Sequence, residues 1–244
     1  MTLRVEHLNL EFDHKKILDD ISFSVQTREF VSILGPSGCG KSTILNIMAG
    51  IIQEYSGQVC VDDEKIKGVS GHFAYMPQND LLLEWRTILD NVTLYGQINH
   101  DKTIKEKALK EFKTFGLEGY ENAYPSSLSG GMRQRAAFLR TSLCQADILL
   151  LDEPFGALDV ITRNDMQDWL LDLRSKYNCT TVLVTHDIDE ALYLSDRIFV
   201  LSNKPSHIIQ TIDLSQEEKS RDWLFSQSHL KKEIYELLRG ENHA

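Results

Sequence analysis

The stretch Gly35-Pro36-Ser37-Gly38-Cys39-Gly40-Lys41-Ser42-Thr43 carries the most concentrated chemistry in the chain, because it satisfies G-x-x-x-x-G-K-[ST]. Glycines 35, 38 and 40 let the backbone turn tightly, so that its N–H groups converge on a polyphosphate, and a helix starting at Lys41 adds its positive dipole end. Lys41 suits the outer phosphates, Ser42 offers a hydroxyl to Mg2+, and Thr43 hydrogen-bonds near the same phosphates. Pro36, Ser37 and Cys39 complete the loop, Cys39 through its backbone amide rather than as a reactive thiol.

A second acidic motif follows the apolar run Ile148-Leu-Leu-Leu151. Asp152 and Glu153 stand where that run ends, at the sheet edge where open α/β folds bind ligands. Asp152 suits a Mg2+ contact, directly or through water, and Glu153 suits the polarisation of a water that attacks a γ-phosphate. Guanine-specific switch proteins usually add N-K-x-D. The nearest approach here, Asn203-Lys204-Pro205-Ser206, lacks the aspartate and argues against a GTPase.

The elements that must position these residues are legible from periodicity. Leu8 to Phe12 and Ile21 to Val25 alternate as antiparallel strands with one solvated face do. Glu29 to Leu34 runs apolar into the glycine loop; Ile44, Leu45, Ile47 and Met48 then recur at helical spacing until Gly50 stops the helix. From Asp90 to Cys144 the pattern is mainly helical, with segments over Asn91–Gln97, Lys102–Phe115 and Met132–Cys144. The apolar runs Ile148–Leu151 and Thr181–Val184 flank an amphipathic helix over Thr162–Lys176, which predicts a buried parallel sheet covered on both faces. Arg197–Leu201 and Ile208–Ile212 read as a closing hairpin, and Ser215–Arg239 as a helical tail. The Lys-rich stretch Asp101–Lys113 places Ile104, Ala108, Leu109 and Phe112 on one side and reads as a helix with a solvated face.

Composition limits the function classes. Across 244 residues, 26 Lys+Arg against 36 Asp+Glu give a net charge of −10, which excludes duplex-DNA binding over the whole surface. No apolar run reaches the length needed to span a bilayer, and the first residues lack a signal-peptide pattern, so the chain is expected on the cytosolic side. Cys39, Cys60, Cys144 and Cys179 form no C-x-x-C pair and read as reduced thiols.

Leu128-Ser129-Gly130-Gly131-Met132-Arg133-Gln134, ahead of Asp152, resembles the signature of ATP-binding cassette ATPases. The rest of that family's pattern follows in order: Phe12 before the phosphate loop, Gln78 in Met76-Pro77-Gln78, Gly156-Ala157-Leu158-Asp159, and His186 in Thr185-His186-Asp187. The resemblance covers roughly residues 3–212. It implies an α/β fold: a P-loop NTPase core with a mixed, mainly parallel sheet, an N-terminal antiparallel β subdomain and a helical subdomain at about residues 85–145. Residues 1–214 then form one domain and 215–244 a helical tail.

The resemblance also implies roles. Ser129, Gly130 and Gly131 open a helix and make a second phosphate site, so each ATP is shared in a head-to-tail dimer of two copies. A neutral His186 would hydrogen-bond the γ-phosphate and hold the Glu153 water; Gln78 would touch Mg2+, Phe12 would stack on adenine, and Asp159 would sit at the dimer seam. Catalysis would rest on Glu153, His186 and Lys41, with ATP and Mg2+ as cofactors.

Leu82-Leu-Glu84-Trp85-Arg86 and Pro154-Phe155-Gly156 through Arg163 are similar to the nitrate/sulfonate/taurine importer group, whose usual form of the first is L-L-P-W-R; Glu84 replaces that proline. Arg140-Thr-Ser-Leu143 also departs from the common R-A-L. The implied partners are a transmembrane permease encoded separately and, through it, an extracytoplasmic solute-binding protein, with the chain peripheral on the cytoplasmic membrane face. A soluble cassette acting on nucleic acid or the ribosome is the alternative. Such proteins usually carry tandem cassettes or long insertions, and this chain has one cassette and no basic arm.

Overall fold

The computed structural model describes residues 2–177 and 179–240, so the last four residues of the expected tail lie outside it. In chain order the strands are β1 (Thr2–Phe12), β2 (Lys15–Gln26), β3 (Phe30–Leu34), β4 (Ser56–Val61), β5 (Glu64–Lys65), β6 (Phe73–Met76), β7 (Ile148–Asp152), β8 (Thr180–Thr185), β9 (Arg197–Leu201) and β10 (Ile208–Asp213). The helices are α1 (Lys41–Met48), α2 (Ile88–Val92), α3 (Leu94–Ile98), α4 (Ile104–Glu111), α5 (Gly130–Ser142), α6 (Val160–Tyr177), α7 (Ile188–Leu194), α8 (Arg221–Ser226) and α9 (Ser228–Gly240).

Two sheets result. One is antiparallel, in the order β2-β1-β4-β5; the other, in the order β10-β9-β3-β8-β7-β6, is parallel except where β10 returns against β9. The expected α/β class with a mixed, mainly parallel sheet and a separate antiparallel sheet is what the chain adopts.

The continuous apolar runs are explained by the parallel sheet's two covered faces. Ile33, Leu150, Val182, Val184 and Phe199 belong to a core shared with α1 and the antiparallel sheet, while Leu34, Leu151, Leu183, Ile198 and Val200 belong to a second core under the helices that follow β6. Alternate side chains thus serve opposite cores, and no position can be polar without a partner. By the same alternation Asp152 follows Leu150 toward α1. That puts its carboxylate beside the phosphate loop.

Several boundaries differ from the sequence reading. The predicted helix at 91–97 is two short helices that meet at Thr93, whose hydroxyl donates to Leu89 O at 2.7 Å and accepts from Gln97 Nε2 at 2.7 Å. The Lys-rich helix is shorter than expected, and Leu109 is exposed while Ile104, Ala108 and Phe112 are buried. Strands β4 and β6 and helix α7 carry little periodicity because each is too short to show a period.

The tail is folded onto the domain: Leu224 and Ile234 are fully buried in the second core, and α8 and α9 both contact α7. Arg221 stacks its guanidinium 4.0 Å over the Tyr193 ring, and Lys231 pairs with Asp189 at 2.8 Å.

Candidate functional site

Strand β3 delivers the chain into the glycine loop at the C-terminal edge of the parallel sheet. Gly40 adopts φ 118°, a conformation that strains any residue with a side chain, and turns the backbone into α1. A Cβ on Gly35 would stand 2.9 Å from Cys39 Sγ and 3.1 Å from Leu201 Cβ, so only glycine lets the loop close here. Cys39 is buried, burial pushes its thiol pKa up, and its carbonyl accepts a hydrogen bond from the Ser206 hydroxyl. Burial disfavours the reactive thiolate, and the Cys39 amide donates to Pro36 O at 3.3 Å.

Lys41 is held across the loop. Its ammonium donates to Gly35 O and Pro36 O, both at 2.9 Å, and lies 3.9 Å from Glu153 Oε1. Although Lys41 opens a helix, its side chain is only 4% exposed. A buried cation at a helix N-terminus brings positive charge into the loop, partly offset by the two carbonyls and the carboxylate that face it.

Around it the sheet edge assembles most of the residues singled out in the sequence. Ser42 Oγ donates to Asp152 Oδ1 at 2.8 Å, which joins the loop to β7. Burial raises the Asp152 carboxyl pKa and the neighbouring Glu153 adds to this, while hydrogen bonds from Ser42 and Tyr75 oppose it. Glu153 follows with φ 44°, a strained conformation fixed by its N–H donating to Val184 O at 2.9 Å. Its Oε2 meets His186 Nδ1 at 3.1 Å and accepts from Gln78 Nε2 at 3.4 Å. Lys41, Ser42, Gln78, Asp152, Glu153 and His186, from four separate segments, thus share one cluster. Sequence reasoning missed Tyr75, because a phenol in a four-residue strand offers no spacing to read.

Other expected residues lie apart from this cluster. Ser129 caps α5, its hydroxyl accepting from Met132 N–H at 3.3 Å. A Cβ on Gly131 would stand 2.8 Å from Thr162 Cγ2, which sets the signature segment against the start of α6. Asp159 begins that helix: Oδ1 accepts from the N–H groups of Ile161 and Thr162, each at 3.1 Å, and Oδ2 from Thr162 Oγ1 at 2.7 Å. These bonds hold its carboxyl pKa below the usual range. Phe12 is half exposed at the end of β1, whereas Phe23 and Phe30 are buried. That leaves Phe12 with a free ring face, as base stacking requires.

Comparison with known proteins identifies the family. The family model for the ABC transporter matches residues 18–156. The aliphatic sulfonates import ATP-binding protein SsuB of Bacillus cereus is 39% identical over 217 residues, covering 87% of this chain and 86% of SsuB. The formylaminopyrimidine import ATP-binding protein ThiZ of Halalkalibacterium halodurans is 42% identical over 233 residues, covering 93% of this chain and 91% of ThiZ. The chain belongs to the ATP-binding cassette family. In shape the cassette is similar to the dimeric post-hydrolysis structure of the ATP-binding cassette MJ0796 bound to ADP and Pi, with a TM-score of 0.74 and 28% identity over 87% of this chain and 98% of that one. It is an ATPase of this family, and ATP is its nucleotide.

Two further features lie around this cluster. Glu84, at the usual proline position, pairs with Arg133 at 2.8 Å, and Arg133 also donates from Nε to Asp80 Oδ2 at 2.9 Å. Arg140 donates to Leu81 O at 2.7 Å, and Gln134 donates to Pro154 O. Helix α5 is therefore tied both to the segment after Gln78 and to the residue after Glu153.

The second feature is Glu190, buried in α7 beyond His186 and hydrogen-bonded by Thr185 Oγ1 at 2.6 Å. Burial pushes its carboxyl pKa up from 4.5 to about 7; the Thr185 bond opposes this, Asp187 adds to it, and the charges of Arg163 and His186 oppose it. A carboxyl with a raised folded-state pKa binds more protons folded than unfolded, so its contribution favours folding below pH 4.5 and is lost as pH rises to about 7. Glu190→Gln should flatten that part of the stability profile, by about 3 kcal/mol at most between the two limits. Urea denaturation at pH 4.5 and pH 8 checks this, and parallel pH profiles for the variant and the unaltered protein would contradict it.

Proposed function

We propose that this cassette is the energy-coupling subunit of an importer, in which ATP joins two copies head to tail and their closure drives a separate membrane permease. What supports this reading is that two different helices, α1 and α5, begin on glycine-rich segments whose residue types suit phosphate. The Lys41 loop has the acidic and imidazole groups beside it, while Ser129-Gly130-Gly131 opens α5 with its cap facing its own helix. A second copy that presents Ser129, Gly130 and Gly131 to the Lys41 loop completes the cradle on the γ-phosphate, with Asp159 at the seam.

Glu153 accepts the proton of the attacking water, and His186 and Gln78 both hold its Oε2. Lys41 and the loop amides neutralise charge on the transferring phosphoryl group. Phe12 supplies a stacking face for adenine. Residues 1–214 act as the working cassette, with the tail from 215 folded onto α7.

Mg2+ fits the residues present. Ser42 would contribute a hydroxyl, Asp152 a buried carboxylate and Gln78 an amide oxygen, a set of hard oxygen donors of the kind Mg2+ takes. Among the described residues no cluster of three or more His, Cys, Asp or Glu side chains could hold a metal by itself. The ion, when bound, neutralises phosphate charge.

The importer direction rests on SsuB and ThiZ, both named as import ATP-binding proteins. A permease partner follows from that role, as does a solute-binding protein acting through the permease on the far side of the membrane. Among the described residues no helix is long and apolar enough to cross a membrane, which suits a subunit held peripherally on the cytoplasmic face. Isolation of the tagged protein from native membranes in mild detergent, with mass spectrometry of co-purifying chains, tests the proposal. A polytopic permease is the expected partner; ribosomal or DNA-associated partners in the soluble fraction alone would overturn it.

A further inference from the structure

We infer that Tyr75 is a positioning residue for the divalent-metal site, acting through Asp152. The Asp152 carboxylate has two oxygens and each has its own donor: Ser42 Oγ reaches Oδ1 at 2.8 Å, and Tyr75 OH reaches Oδ2 at 3.1 Å. Ser42 is itself a candidate metal donor, so it must give up or share this bond when the ion is in place. Tyr75 has no such second task, and its bond fixes the carboxylate plane in either state.

The phenol is delivered by rigid structure. Strand β6 pairs in parallel with β7, with Tyr75 opposite Leu150, two residues before Asp152. Alternation then sends Met76 to one core and Tyr75 toward the other, where it packs against the core shared with α1 and the antiparallel sheet. Tyr75 is also three residues before Gln78, so one short strand places both a donor to Asp152 and a donor to Glu153. Both carboxylates at the sheet edge are thereby referenced to β6.

The physical consequence concerns the aim of a buried carboxylate. Asp152 is 4% exposed, and a carboxylate in such surroundings depends on its hydrogen bonds to hold its orientation. Removal of the Tyr75 hydroxyl takes away one of its two side-chain donors and leaves the nucleotide cradle of the glycine loop and Lys41 intact. Metal affinity should therefore fall while metal-free nucleotide affinity stays.

Tyr75→Phe keeps the ring and its packing and removes only the hydroxyl. The experiment measures the Kd for ATP in EDTA and in saturating Mg2+ by equilibrium binding, without turnover, in the full-length protein and this variant. The ratio of the two constants reports metal affinity within the complex. In Tyr75→Phe this ratio is expected to fall roughly 10-fold, with the EDTA value changed less than about two-fold. An unchanged ratio, or an equal loss in both conditions, would overturn the inference and leave Tyr75 a packing residue. The inference rests on the nucleotide-site reading above, and the two fail differently. If the unaltered protein shows no Mg2+-dependent ATP affinity, that reading and the inference fall together; if it responds and Tyr75→Phe responds equally, only the inference falls.

Discussion

Glu153→Gln should slow ATP turnover by about 10²- to 10⁴-fold and convert the protein into an ATP-stabilised dimer near twice 27.9 kDa. Glutamine fills the same space and can keep a contact to the His186 side, but its amide cannot take a proton from the attacking water. The bound nucleotide then persists in its unhydrolysed state, and the shared cradle stays closed for as long as the γ-phosphate is present. Light scattering at high protein concentration measures this directly. A nucleotide-bound monomer would contradict the shared site, and undiminished turnover would contradict the role given to Glu153.

The second large effect belongs to Lys41. Its ammonium is poised over the loop by two carbonyls, and the outer phosphates would receive charge-assisted hydrogen bonds from it. With each such bond contributing about 1.5–3 kcal/mol, Lys41→Ala is expected to weaken ATP binding by about 100-fold or more. Competition with a fluorescent ATP analogue provides the measurement, and unchanged affinity would contradict the assigned role. Because Lys41 is also the cation nearest Glu153, the variant leaves that carboxylate without a counter-charge, so turnover falls further than affinity.

Much of this site could be read in the chain before any coordinates. Lys41, Ser42, Asp152, Glu153 and His186 fall at ends of apolar runs, and a parallel sheet brings those ends to one edge whatever the intervening lengths. The runs themselves declared the sheet, since residues such as Leu150 and Leu151 serve opposite cores and both must be apolar. Tyr75 was invisible for the opposite reason: its partner lies 77 residues away, and only strand pairing makes them neighbours. The tail was equally silent. Leu224, between Trp223 and Phe225, and Ile234, followed by Tyr235, fit a helix, but their destination, the flank of α7, is set by tertiary packing alone. Glu84 reads in the sequence as a departure from proline, and only the fold supplies its partner in Arg133.

In the proposed mechanism one active site needs two chains, with Ser129 of one copy completing the Lys41 loop of the other. ATP turnover per subunit, measured across a dilution series with the oligomeric state followed by light scattering, tests it most directly. The account predicts specific activity that falls steeply on dilution, in step with loss of the ATP-bound dimer. Constant specific activity in samples that are wholly monomeric would contradict it.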